Sequence, residues 1–164
     1  MSPVVGFLVR PARPADIPRL IAIRAAVREN RLADPGSIAA ADYAPYLDRG
    51  HIWVAEQDGE ILGFAALGAA AASVWALFVA PEAEGRGAGR LLLDRLVAEA
   101  RRLLLPALTL ETEAGSRAER VYRAAGWSVA ARGGGTLAMR LDLSPAVSRP
   151  PPPPPPPRAS GRST

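Results

Sequence analysis

Three glycines, Gly85, Gly87 and Gly89, crowd the short stretch "EGRGAG", Glu84–Gly89, and a leucine-rich run, "RLLLDRL", follows at once. Glycine costs a helix about 1 kcal/mol relative to alanine, so three of them where a helix is about to start need a reason. A helix N-terminus carries unpaired N–H groups and about half a positive charge. Glycines let an anion, typically phosphate, come within hydrogen-bonding distance of that backbone. The plainer alternative is a tight strand-to-helix turn without a ligand, for which one glycine would serve.

Two nucleotide-binding patterns fail on residue type. A Walker A loop needs a lysine, and the chain has none. A G-x-G-x-x-G fingerprint starting at Gly85 or Gly87 would put its third glycine on Arg90 or Leu92, where a large side chain blocks close helix–strand packing. The chain also lacks cysteine, which removes disulfides, thiolate metal sites and a cysteine nucleophile together. With His51 as its single histidine, a histidine-rich metal centre is not expected, and His51 itself reads as a strand-edge residue.

The elements that must position the glycines follow from periodicity and turn residues. "FLVRPA" reads as a short strand closed by prolines. Asp16 is expected to cap a helix with Pro18 in its first turn and Leu20, Ile21, Ile23 and Val27 on its apolar side. "DPGS", Asp34–Ser37, breaks it, and a shorter helix runs from about Asp42 to Asp48 before Gly50. Two β-rich runs flank Asp58-Gly59, a hairpin pattern. "SVWALFV" is nearly all apolar and is expected to be buried on both faces. After Pro81 and the glycines comes a helix to about Leu105, with Leu91, Leu92, Leu96, Val97 and Leu103 facing inward. "ALTLET" is a strand, "SRAERVYRAAG" a helix ended by Gly126, and "WSVAAR" and "TLAMRLDL" a final strand pair. The order β-α-α-β-β-β-α-β-α-β-β describes an α/β (α+β) fold, a mixed sheet with helices packed on it.

Its 164 residues, 49% of them hydrophobic, suit one domain with a substantial core, assigned here to residues 5–143. From Ser144 the composition changes to a proline-rich tail, with eight consecutive prolines from Pro150 to Pro157. Such a run adopts polyproline II. The tail is expected to be disordered; the sharper reading makes it a ligand for a proline-recognising module, flanked by Arg149 and Arg158. All 20 basic residues are arginine. Three of them, Arg149, Arg158 and Arg162, lie in the acid-free tail, so the body before it carries only +1 of the net +4. That balance does not describe a nucleic-acid surface, and the arginine bias suits a GC-rich genome. No apolar run reaches the roughly 18 residues a bilayer span needs, and the start does not read as a signal peptide. A cytoplasmic protein without a membrane or nucleic-acid partner is the expectation.

With both nucleotide patterns set aside, "LFVAP", Leu77–Pro81, followed by "EGRGAG" resembles the GNAT superfamily of acetyl-CoA-dependent N-acyltransferases. The family signature is [Q/R]-x-x-G-x-[G/A] after a strand of the form L-[YF]-V-x-P. A second family pattern, N-x-x-A-x-x-x-Y-x-x-x-G-[FY], matches "GSRAERVYRAAGW", Gly115–Trp127, and the likeness extends over about residues 7–142. The chain departs from the patterns at Glu84, where Gln or Arg is usual, and at Gly115, where Asn is usual. Arg86 or Arg90 is the candidate to neutralise Glu84, unless its side chain points away.

The resemblance implies that the amides of Arg86 to Gly89 hold the pyrophosphate of coenzyme A. The implied cofactor-binding set is Leu77, Phe78 and Val79 on the strand, Glu84, Gly85, Arg86, Gly87, Ala88, Gly89 and Arg90 on the loop, and Tyr122. The pantetheine arm would pair with the strand edge, and the Leu77 amide would face the thioester carbonyl. Without cysteine, an acyl-cysteine relay is excluded and direct transfer of acetyl to an amine in a ternary complex remains. Tyr122, at the family's tyrosine position, is the candidate general acid, against a plain core aromatic. Glu29, where the first helices usually wall the acceptor pocket, and Glu111, near the split in the sheet, are the candidate bases. Ser73 stands where many relatives have a glutamate. Trp53 and Trp75 read as core residues, with Trp75 also a candidate for the acceptor pocket. A non-catalytic acyl-CoA-binding or sensor protein is the alternative. The acceptor is a small-molecule or peptide amine, no metal is implied, and a homodimer is an option because relatives often pair.

Overall fold

The computed structural model describes residues 6–27 and 39–143. Its elements are β1 (Leu8–Pro11), α1 (Ile17–Ala26), α2 (Ala40–Asp48), β2 (Ile52–Gln57), β3 (Glu60–Gly68), β4 (Ser73–Val79), α3 (Ala88–Arg102), β5 (Ala107–Glu113), α4 (Arg117–Ala124), β6 (Ser128–Gly133) and β7 (Thr136–Asp142). This is the element order read from the sequence, with two short 3-10 turns added, Pro14–Asp16 and Pro81–Ala83. The strands form one seven-stranded sheet in the order β1-β2-β3-β4-β5-β7-β6. Its pairs are antiparallel except β4–β5. The β2–β3 turn has positive φ at both Asp58 and Gly59, as a two-residue hairpin with right-handed strand twist requires.

Each face of the sheet has its own core. Leu92, Leu93 and Leu96 of α3 pack with Trp53, Leu108, Leu110, Met139 and Tyr122 on one face. Leu20 and Ile23 of α1 and Tyr43 of α2 pack with Ile52, Val54 and Phe64 on the other. The two faces explain most of what the linear pattern misassigned. The inward arc of α3 is Ala88, Leu92, Leu93, Leu96, Glu99 and Ala100; Leu91 falls outside it and is 42% exposed, while Val97 and Leu103 are only half-buried. The helix stops at Arg102, before the positive-φ residue Leu104.

Asp16 does not cap α1 with its side chain. Its carboxylate accepts the Arg13 N–H at 2.8 Å, closing the 3-10 turn, and pairs with Arg10, which also reaches Glu56 of β2. α2 starts at Ala40 because Asp42 sits in its first turn and accepts the Ala39 N–H at 2.7 Å. His51 is no edge residue: β1 lies outside β2, and His51 is buried 3.8 Å from the equally buried Glu99. The Arg102 guanidinium beside Glu99 holds that carboxyl below its ordinary pKa, against the upward push of burial. The break assigned to Asp34–Ser37, and the whole proline-rich tail, lie outside the described residues.

Candidate functional site

β4 is the element that departs most from its sequence reading. Of its seven residues only Ala76 is fully buried, although nearly all are apolar. The cause is its neighbour. β5 pairs with β4 only at Ser73↔Thr109, with the Thr109 N–H donating to the Ala72 carbonyl at 3.0 Å, and the two strands then diverge. The fork encloses a cavity of about 560 Å³. Leu77 and Phe78 of β4, Thr109 and Glu111 of β5, and Tyr122 of α4 are among its walls.

The backbone of β4 turns unpaired groups toward that space. N–H directions alternate along a strand. The Ala80 N–H bonds the Leu62 carbonyl on the β3 side at 2.7 Å. Val79 and Leu77 therefore direct theirs to the opposite edge, where β5 offers no ladder partner. A bulge adds to this: Ala66 faces Ala76 and Leu67 faces Val74, leaving Trp75 as an extra residue. Trp75 and Phe78 pack with the α1/α2 core, Leu77 and Val79 with the α3 core. The fork thus passes through the sheet, with Tyr122 on the α3 side.

At the C-terminal end of β4 the chain makes its 3-10 turn and enters the glycines. Gly85 has φ +78 and Gly87, the N-cap of α3, φ +94, a region that side-chain-bearing residues rarely adopt. The first intrahelical bond runs from Leu91 N–H to the Gly87 carbonyl at 3.1 Å. The N–H groups of Ala88, Gly89 and Arg90 precede it and have no carbonyl partner inside the helix. A Cβ at Gly87 would stand in open space, whereas one at Gly89 would touch the Val79 side chain at 3.5 Å. Gly87 supplies the turn, whereas the space beside Gly89 would take a Cβ in ordinary contact, so neither the turn nor the packing calls for a glycine at position 89.

Neither arginine expected to answer Glu84 does so. Arg90 pairs with Asp94 at 3.0 Å, while Arg117, in the first turn of α4, lies 3.6 Å from the Glu84 carboxylate. The pair links the loop after β4 to the helix after β5. Ser116 caps α4 through the Glu119 N–H at 3.2 Å, just after the positive-φ Gly115. Tyr122 lines the fork from this helix, packs with its ring tilted against Trp127, and is pushed well above the ordinary tyrosine pKa by burial. Glu111 is exposed on the fork wall, and Glu29 lies outside the described residues.

Trp53 is a core residue, with the Arg95 guanidinium over its ring. Trp75 is half-buried: it packs against the α1/α2 core and also lines the fork, stacked on Tyr46 at 4.2 Å and edge-on to Tyr43. Sequence reading missed Arg24. It lies one turn after Leu20, within the stripe Leu20–Ile23–Val27 that α1 turns to the sheet, and an arginine at such a position was the sign of it.

A family model described as an acetyltransferase (GNAT) domain matches residues 48–129, half of the chain, a span holding both the glycine loop and Tyr122. Several solved structures share the fold. YncA of Salmonella typhimurium, solved with its cofactor acetyl-CoA, superposes with a TM-score of 0.68 at 26% identity, over 85% of this chain and 95% of that one. A ribosomal-protein-alanine N-acetyltransferase from Brucella melitensis matches at 29% identity and TM-score 0.68, over 83% and 99%. An N-acetyltransferase from Staphylococcus aureus shares the fold at 22% identity and TM-score 0.71, over 84% and 98%. A sheet split beside a glycine-capped helix, the matched domain and these neighbours agree: the chain belongs to the GNAT acetyltransferase family.

Proposed function

We propose that this protein transfers an acetyl group from acetyl-CoA to an amine, directly and within a ternary complex. The observation that carries the reading is the fork itself: an unpaired β4 edge leads to a helix N-terminus whose glycine backbone is open to an anion. The parts fit the ligand. A diphosphate matches the N–H groups of Ala88 to Arg90 together with the Arg86–Gly87 turn. The apolar, half-exposed strand matches a thin pantetheine chain that bonds to backbone like an added strand. Acetyl-CoA supplies the acetyl group as a thioester.

The residues then divide the work. The Leu77 N–H points into the fork and donates where negative charge develops on the carbonyl oxygen under amine attack. A fixed donor there is worth about 3–4 kcal/mol. Tyr122 protonates the departing sulfur. Burial makes it a weaker acid than free tyrosine, but a thiolate in the same apolar fork is desolvated as well and its own pKa rises for the same reason. Glu111, exposed on the fork wall, accepts through water the proton that the substrate ammonium must lose before its free amine attacks the thioester carbonyl.

The test is calorimetric titration with coenzyme A followed by thiol release from acetyl-CoA over a panel of amines. Binding with a one-to-one stoichiometry and release with at least one amine class is the expected result. Binding without release from any amine would favour an acyl-CoA sensor, and no heat on titration would overturn the reading altogether.

A further inference from the structure

Arg24 of α1 enters the fork from the face opposite Tyr122. Its guanidinium lies 4.9 Å from the centre of the Phe78 ring and 5.6 Å from that of Trp75. These contacts set the cation over the two rings but bond none of its N–H groups. Its Nη1 is buried without a hydrogen-bond partner, and so is the neighbouring Tyr43 hydroxyl. Burial raises the Tyr43 pKa, and the charge of Arg24 together with a long side-chain hydrogen bond from it opposes that rise, so the two groups face each other just beyond normal hydrogen-bond geometry. Among the described residues, no carboxylate lies within ion-pair distance of Arg24. A buried cationic N–H with only that weak partner is costly, and the Arg24 side chain that carries it lines the cavity.

The opposite wall has the opposite sign. Leu108 and Leu110 of β5 face the α3 core. Strand alternation then turns Thr109, Glu111 and Glu113 toward the side of α1, and all three line the cavity. A ligand entering from this side meets an arginine set over two aromatic rings on one wall and carboxylates on the other. Arginine's planar fork suits a carboxylate bidentately, and the aromatic wall between them suits a small side chain. An amine alone leaves Arg24 unanswered, and a polypeptide N-terminus offers it only neutral carbonyl oxygens in place of a carboxylate.

Resting on the transferase reading above, we infer that the acceptor is a free amino acid, its carboxylate held by Arg24 and its amine directed to the Glu111 wall. Thiol release from acetyl-CoA is to be measured with the common L-amino acids, each beside its own amide and an alanine-initiated peptide amide, with rates corrected for the fraction of free amine. At least one acid is expected to exceed its amide about 10- to 100-fold in kcat/KM, the range spanned by one charge-assisted contact. Arg24→Gln is expected to remove most of that ratio through KM for the acid, and Arg24→Lys to restore part of it; loss of packing alone would lower acid and amide together. The wild-type ratio needs no variant, so a poorly folding Arg24→Gln leaves the question decided. A ratio near one, or the peptide amide preferred, would overturn the inference while leaving transferase activity in place. Absence of coenzyme A binding would overturn the reading beneath it.

Discussion

The burial of Tyr122 bears on stability and, under the proposed mechanism, on proton transfer. The Phe variant keeps the ring against Trp127 and removes only the hydroxyl. Tyr122→Phe is expected to lower kcat about 10²- to 10⁴-fold, the usual contribution of a positioned proton donor, with the coenzyme A affinity measured by calorimetry kept within about twofold. The raised pKa also has a stability consequence. The unfolded chain loses this proton near pH 10, and the folded chain only at higher pH. The contribution is therefore complete below about pH 10 and falls as the pH climbs from there toward the folded value. Melting temperatures followed from pH 9 to 11 should drop less steeply for Tyr122→Phe than for the wild type; parallel curves would show that the hydroxyl is not desolvated. At this scale the chain was only partly legible. Tyr122 stands out by its motif, whereas the partner of Glu84 was misread, because Arg117 reaches it across the fork from a distant part of the sequence.

The element that matters most is the joint between β4 and α3. Gly87 holds φ +94 in open space, so a side chain there meets no clash but must adopt a strained backbone. Such a residue costs about 1–3 kcal/mol, and the loop can relieve it only by turning its N–H groups away. Gly87→Val is expected to weaken coenzyme A binding about tenfold or more by calorimetry. Its melting temperature should change by only a few degrees, since no core contact is lost. Unchanged affinity would mean that the glycines serve the turn alone. The loop was readable because glycine clusters and a following leucine pattern are local features. The half-burial of β4 was not, because an all-apolar strand looks the same whether a neighbouring strand or a ligand completes its edge.

At the scale of the molecule, two half-sheets, β1-β2-β3-β4 and β5-β7-β6, meet at one residue pair, with α3 packed across β2 to β5 on one face. A ligand lying along the free β4 edge bridges them. At a coenzyme A concentration 100 times its Kd, linkage adds about 2.7 kcal/mol, which for a domain of this size raises the melting temperature by roughly 5–10 °C. Thermal denaturation with and without coenzyme A checks this; no shift at saturation would mean that the ligand binds nothing that folding creates. Hydrogen exchange should slow most at Leu77 and Val79, the amides that face the fork.

The amino-acid order by itself determined the succession of strands and helices, the glycine turn, the exclusion of cysteine chemistry and the tyrosine on α4. Each rests on interactions within a few residues, where steric freedom and periodicity decide. Only the tertiary structure decided where β5 leaves β4, that Arg117 rather than Arg86 or Arg90 answers Glu84, and that Arg24 reaches the cavity with no carboxylate beside it among the described residues. Those outcomes depend on strand pairing and on charges brought together from distant segments, and no local pattern encodes either.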